Sequence, residues 1–525
     1  MHRTGTAILS LAALGLGTYQ AYRPTFDTHF ANMQVDPGDG LLNNYLLEHT
    51  WRAVSDRDYR GSLASPPFFY PTRNVLWYSE TFLGAAPAYW ALRPWLPPDL
   101  AFQWWQIAMS ALNFAAMTWV GRRLGCNHLF AVLGGYLWAY GLVHLYLAMH
   151  QQLIPRFWMP PAVYWAWRFA QEPRVRSFCG MLGAAFLQCV TCVYTGWFLV
   201  VGLAAFVPLA IGMQPDGWRR TVRLLRTRRM GIALGGWAVV FGAYFAPYVV
   251  VNAGIARDAA DYAESLPTVA TWFAGPGSAR WHDTVKPLLP ADVRGHLFSG
   301  FGLYAIAAAA ALTAYRARRP ELALAAAALI TAAIGVLLTL DFGDGRSAWT
   351  LVRFLPGGQA IRRVDRVGIV VYLFLTLAAI VWLQWAFDRV RGARLRWPAA
   401  CLAVAALIYE QTGLVHASFP KAEYFAAADR YAAGLRGADV GYVIPRSPNV
   451  YLPYQLYGNL IGMWAGLEAN VPVVNGYSGR YPDDYSLYDG DAEGELRAWL
   501  TGRFRGRVAI IDPLKPDEVR WLVIE

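Results

Sequence analysis

Apolar residues in this chain gather in long unbroken runs, not in the alternating or one-sided patterns of soluble strands and helices. Runs at 6–22, 100–120, 129–149, 154–170, 178–194, 196–213, 231–251, 298–315, 322–340, 367–387 and 399–415 each approach the length of helix that crosses a bilayer. A hydrocarbon core offers backbone N–H and C=O groups no water, so such runs are expected as helices. The fourth run is the weakest, because Pro160 and Pro161 interrupt it and Arg156 and Arg168 flank it. The fifth and sixth form one stretch that divides near 194–196. The first has no small-residue cleavage site and is expected to be retained. Residues 83–96 are aromatic and proline-rich, and are expected to lie along the interface.

Composition agrees with the pattern. Of 525 residues, 56% are hydrophobic and only 15% charged, with 23 Trp and a mean hydropathy of +0.27. Soluble domains carry about 25% charged residues. The net charge of +11 does not point to nucleic acid, because the arginines cluster between apolar runs, as at 122–123, 219–229, 316–319 and 389–396. Placed on one side they set the N-terminus inside, with outer loops at 23–99, 252–297 and 341–366. The five arginines within 346–366 are the exception to this bias. Residues 416–525 then lie outside. They hold strand-like runs at 440–444, 508–511 and 521–524 and a helix-like stretch at 422–435. The expected fold is therefore an all-α polytopic membrane bundle of about 11 transmembrane helices over 1–415, with a small C-terminal α/β extracytoplasmic domain over 416–525. The five cysteines lie in or beside the apolar runs. Cys189 and Cys192 share CxxC spacing, but inside an apolar helix this reads as packing.

Candidate chemistry begins at 35–51. Asp36 and Asp39 sit three residues apart in a Pro/Gly turn. Leu41, Leu42, Tyr45, Leu46 and His49 follow at helical spacing, as expected of an interfacial helix. Acidic groups at the lipid boundary suit chemistry on a lipid-borne substrate. The plainer reading is a turn in which Asp39 caps the next helix. Glu80 reads either as a second acid or as a structural partner of Arg73.

Six segments in one order along the chain resemble a bacterial branch of the GT-C superfamily, membrane glycosyltransferases that use polyprenyl-phosphate sugars. They are Asp36-Pro37-Gly38-Asp39-Gly40-Leu41-Leu42-Asn43, Phe69-Tyr70-Pro71 with Tyr78-Ser79-Glu80, His150-Gln151-Gln152-Leu153, Leu297-Phe298-Ser299-Gly300, Leu355-Pro356-Gly357 through Arg363 and Arg366, and Val474-Asn475-Gly476-Tyr477-Ser478-Gly479. Gly40 replaces a proline of the branch pattern, and Gln151 departs from an HLQL turn. The resemblance implies a bacterial inner-membrane enzyme. It would move sugar from a polyprenyl-phosphate-linked donor to a lipid, glycan or protein acceptor on the outer face.

In that reading Asp39 is the first choice for the base and Asp36 the second, with Glu80 as a further acid. Arg363 and Arg366 would meet the leaving phosphate, unless Arg363 and Arg366 serve headgroups or pair with Asp365. Substrate contacts would come from Tyr78, His150, Gln151, Asn475 and Tyr477, although a hydrogen-bonded structural role suits His150 as well. The resemblance leaves open whether a divalent cation, magnesium or manganese, is held by Asp36 and Asp39. A transporter or flippase of lipid-linked sugars would share this layout, as would a non-catalytic glycan-binding scaffold. Few ionisable groups lie within the apolar runs, which weighs against an ion-coupled carrier.

The arginine distribution generates one direct test. A periplasm-active reporter fused after Glu525 should be active, and a cytoplasm-active one silent; the reverse pattern means that one apolar run does not cross.

Overall fold

The computed structural model describes residues 3–34, 36–147, 149–253, 259–317, 320–413, 417–446, 454–487 and 493–525. Val35, Arg318, Arg319 and the expected domain boundary at 415/416 lie outside the described residues. The helices that build the molecule are α1 (Arg3–Ala21), α2 (Pro37–Ser55), α3 (Pro98–Arg123), α4 (His128–Tyr140), α5 (Met159–Gln171), α6 (Val175–Thr191) and α7 (Val193–Gly212). They continue with α8 (Arg228–Val251), α9 (Phe301–Ala317), α10 (Ala323–Thr339), α11 (Gly368–Arg389), α12 (Ala393–Gln411), α13 (Ala422–Leu435) and α14 (Tyr454–Ala469). Each of the eleven apolar runs holds one of them; α2, α13 and α14 lie outside the runs. The helical stretches 128–147, 193–212, 228–251, 320–339 and 364–389 are long and apolar enough to cross a membrane by length and composition. The figure of eleven crossings stays an expectation from sequence. Leu11, Val239 and Leu402 stand 67%, 71% and 72% exposed, a surface that suits lipid and not water.

Two runs are shaped differently from expectation. The third breaks at Gly141, where a Cβ would collide with the Tyr372 hydroxyl and the Leu137 carbonyl. Gln411 Oε1 accepts the Leu142 N–H there at 3.0 Å and the Tyr372 hydroxyl at 2.7 Å, so the polar groups freed by the break are satisfied. The fourth run becomes helical only at Met159. Pro160 and Pro161 do not interrupt this helix but start it, since a first turn has no use for their missing N–H groups. Residues before it form a fixed polar turn described below.

Helix α2 differs most from the amphipathic interfacial helix that was expected. Gly38 and every residue from Gly40 to Thr50 are buried, including Asn43, Asn44, Glu48 and His49. It runs between the bundle and the terminal domain, packing on α14 on one side and α3 on the other. A second apolar core, separate from the main one of the bundle, joins α2, the 23–99 loop and described residues between 419 and 524.

Strands knit the same two parts together. Strands β1 (Asn32–Met33) and β2 (Phe419–Pro420) pair antiparallel across the two sections. In the terminal domain β3 (Val440–Val443) pairs parallel with β4 (Gly506–Ile511), and β4 antiparallel with β5 (Val519–Ile524). The three strand-like runs and helix 422–435 are thus present as expected. The first loop extends this sheet: Phe69 N–H reaches Asn475 O at 2.9 Å, Tyr70 N–H reaches Val473 O at 3.0 Å, and Gly441 bridges Val473. Gly476 is required at this seam because a Cβ would enter the Phe69 ring.

A buried ion cluster locks α2 to the terminal domain. Glu48, with no exposed surface, accepts from Arg52 Nε at 2.9 Å, Arg93 Nε at 2.6 Å and the Tyr89 hydroxyl at 2.9 Å. Arg52 also reaches Glu468 of α14 at 2.7 Å. Removing Glu48 strips Arg93 of its carboxylate and leaves Arg52 with Glu468 alone, at a cost of about 3 kcal/mol at most because both arginines keep some exposure. Glu48→Leu should therefore lower the midpoint of thermal unfolding in detergent markedly. An unchanged midpoint would show that the cluster contributes nothing.

Candidate active site

The start of α2 brings the two predicted carboxylates together. Asp36, not Asp39, is the capping residue: its Oδ1 accepts the Gly38 N–H at 2.7 Å, and Pro37 occupies the first turn. This leaves Asp39 in the first helical turn, where the helix dipole favours negative charge. Its Oδ2 lies 2.7 Å from His150 Nδ1 and 3.2 Å from Gln152 Nε2. Burial pushes the Asp39 carboxyl up, but the His150 bond and charge, the Gln152 amide and the charge of Arg366 together hold it below the usual range. Burial also pushes Asp36 up, and here the Asp39 charge adds to it while the Gly38 N–H and His150 oppose, so Asp36 ends above its usual value.

The 150–158 segment is rigid because its polar groups are tied into the bundle. Asn113 Nδ2 donates to Ile154 O at 2.7 Å and its Oδ1 accepts Arg156 N–H at 3.0 Å. The Arg156 guanidinium, wholly buried, donates to Ile154 O and Trp138 O and stacks on Trp138. Gln188 Nε2 donates to Pro155 O at 3.0 Å. Gln151 belongs to this scaffold: its amide donates to Gln34 O at 2.9 Å, its Oε1 accepts from Asn43, and it is fully buried. Gln152, not singled out from sequence, is the glutamine that reaches Asp39. The turn sends neighbouring side chains to opposite sides, a placement that an irregular segment does not signal in advance.

Glu80 is neither free nor bound to Arg73. Its oxygens accept the Val193 N–H at 2.6 Å and the Tyr194 N–H at 3.2 Å, and Cys192 Sγ lies at 3.4 Å. It caps the start of α7. Burial pushes its carboxyl above the usual range against the pull of those amides, Cys192 and Arg366.

The two arginines part company. Arg363 forms a two-pronged pair with the buried Asp365, at 3.1 and 2.6 Å. Arg366 stacks on the Tyr194 ring at 4.2 Å, and its charge is felt by both Asp39 and Glu80. No described side chain or backbone group is hydrogen-bonded to the Arg366 guanidinium. The terminal domain supplies Tyr477, whose hydroxyl is pushed up to about 12 by burial, then by the charges of Asp39 and Asp36, against Arg362. Asn475 lies apart from the site: it is fully buried and exchanges hydrogen bonds with both backbone groups of Val443, at 2.8 and 2.6 Å. Tyr78 sits under Arg480, 5.3 Å from the guanidinium carbon, and belongs to the loop packing.

Among the described residues, no three His, Cys, Asp or Glu side chains gather as metal ligands would. His150 shares a proton with Asp39 at 2.7 Å, so that nitrogen is not a ligand beside the two carboxylates. Asp36 and Asp39 are the carboxylates that a divalent cation would meet here, a number that suits magnesium only with substrate phosphate and water completing its shell. A cavity of about 360 Å³ lies away from this site, walled by Arg93, Asp99, Lys421 and Glu468.

No protein-family model and no curated protein matches the chain. Solved structures that are similar to it at low identity include the following two. The apo oligosaccharyltransferase of Archaeoglobus fulgidus is 12% identical with a TM-score of 0.40, over 90% of this chain and 65% of that one. This chain thus spans about two thirds of that protein's length. Apo ArnT from Cupriavidus metallidurans is 13% identical with a TM-score of 0.43, over 97% of this chain and 94% of that one.

The carboxylate pair can be tested by itself. Asp39→Asn removes a like charge beside Asp36, so Asp36 should titrate at lower pH than in the wild type. Infrared spectra of the carboxyl band, with Asp36→Asn as the blank, report it. An unmoved band would mean that the two groups do not sense each other.

Proposed function

We propose that this chain is an integral membrane glycosyltransferase that moves a sugar from a polyprenyl-phosphate-linked donor to a lipid, glycan or protein acceptor. The observation that carries the reading is the pairing, in one place, of an Asp39–His150 couple with Arg366, whose guanidinium is hydrogen-bonded to no described carboxylate. A sugar hydroxyl is a weak nucleophile until a base removes its proton. As its oxygen bonds to the anomeric carbon, the carbon–oxygen bond to phosphate breaks and the phosphate leaves with the electron pair. That charge needs a preorganised cation, and Arg366, stacked on Tyr194, is suited to it. Arg363 is already matched by Asp365 and is assigned to shaping the loop. Asp36 supports the couple through helix capping and charge. The donor, the acceptor and the outer-face location follow from the motif resemblance and the arginine bias.

Transfer from isotope-labelled undecaprenyl-phosphate mannose, glucose or arabinose to membrane acceptors tests the proposal, and movement of label across the membrane without transfer would favour a flippase. Arg366→Ala should weaken donor binding strongly, and Arg366→Lys should restore only part, because an ammonium lacks the two-pronged geometry. Loss of transfer on chelation would place a divalent cation on Asp36 and Asp39. Unchanged donor affinity in Arg366→Ala would return this residue to a structural role.

A further inference from the structure

Within the couple, we propose that His150 Nε2 is the atom that takes the acceptor hydroxyl proton, and that Asp39 is a positioning residue that holds the opposite ring nitrogen. This rests on the transferase reading and assigns its base.

At 2.7 Å, His150 Nδ1 and Asp39 Oδ2 share one proton. Asp39 has surroundings that favour the ionised form: a helix start, the Gln152 amide and a nearby arginine. The proton therefore sits on Nδ1, and a neutral imidazole protonated there presents an unprotonated Nε2. Asp39 Oδ2 is committed twice, and Gln152 is itself held by Asn43 Nδ2 at 2.9 Å, one turn along α2. The His150 side chain is 34% exposed against 18% for Asp39, and no described group is hydrogen-bonded to Nε2. The chain after the ring is also anchored, Gln151 to Gln34 and Asn43 and Arg156 to Trp138 of the bundle.

Asp39 is hydrogen-bonded to this imidazole and Asp36 feels its charge, Gln152 holds Asp39 from the same turn, and Arg366 and Tyr477 interact with Asp39. Two carboxylates stabilise the imidazolium as it forms. Arg366 opposes it only until its charge is met by the donor phosphate. The balance is complete: the hydroxyl oxygen bonds to the anomeric carbon, the phosphate leaves with its electron pair, and the proton passes to Nε2 and then to water. Asp39 Oδ1 is the competing acceptor, and the two make different predictions.

Wild type, His150→Gln, His150→Ala and Asp39→Asn would be compared for transfer of label from undecaprenyl-phosphate mannose, glucose and arabinose across a pH series. His150→Gln should lose about a hundred-fold to ten-thousand-fold in rate, with donor binding retained. Added imidazole should restore part of the His150→Ala rate. The wild-type rate should fall on the acid side of its pH profile. That fall should move to lower pH in Asp39→Asn, which strips the imidazolium of its counter-ion. Transfer by His150→Gln within a few-fold of wild type overturns the assignment, as does an acidic fall that persists unmoved in His150→Ala; either outcome leaves the transferase reading standing. Absence of transfer by the wild type from all three donors overturns that reading, and this assignment with it.

Discussion

Free N–H groups at helix starts constrain this molecule more than any other requirement. Each α-helix begins with amides that have no partner of their own, and a low-dielectric surrounding makes that vacancy costly. Three carboxylates answer it here. Asp36 takes the first amides of α2, Glu80 those of α7, and Glu410 those of α9 through Phe301 and Gly302. Two of them also join segments distant in sequence: Glu80 pins the 23–99 loop to α7, and Glu410 pins α12 to α9. The acidic groups are thus spread over structure and chemistry, and only the one that is not a cap, Asp39, is left to face His150.

The same arrangement sets the electrostatics of the site. Negative charge accumulates at the start of α2 because a helix dipole and neighbouring amides welcome it. Positive charge arrives from the 362–366 loop, where Asp365 absorbs Arg363 and leaves Arg366 uncompensated. One loop therefore contributes a matched ion pair and a cation held by stacking on a ring. The stacking of Arg366 on Tyr194, whose own N–H is held by Glu80, connects that cation to the first outer loop through a single residue.

Long apolar runs made the bundle legible from sequence, because membrane helices need only length and hydropathy to be recognised. The terminal strands were legible too, as short β-branched runs between polar turns. Side-chain direction was not. Gln151 and Gln152 are adjacent and alike, and only the fold turns one toward the scaffold and the other toward Asp39. Asn475 and Glu80 look like functional polar residues in a motif, yet their hydrogen bonds are spent on backbone groups far away in sequence. Arg156 looked like the flank of a crossing and is instead a buried clamp. The burial of α2 was hidden because its partners, the residues of α14, follow it by some four hundred positions, beyond the reach of any local periodicity.

That separation bears on how the chain is made. Residues 67–70 exchange backbone hydrogen bonds with 473–475, which are synthesised much later, and the core beneath them is shared with α13 and α14. Until residues 417–525 emerge, the first loop has backbone groups with no partner and aromatic residues with nothing to cover them. The bundle must therefore be threaded while this loop waits open. A chain stopped short of the terminal domain would present an unpaired edge, the kind of surface that quality-control proteases and neighbouring chains engage.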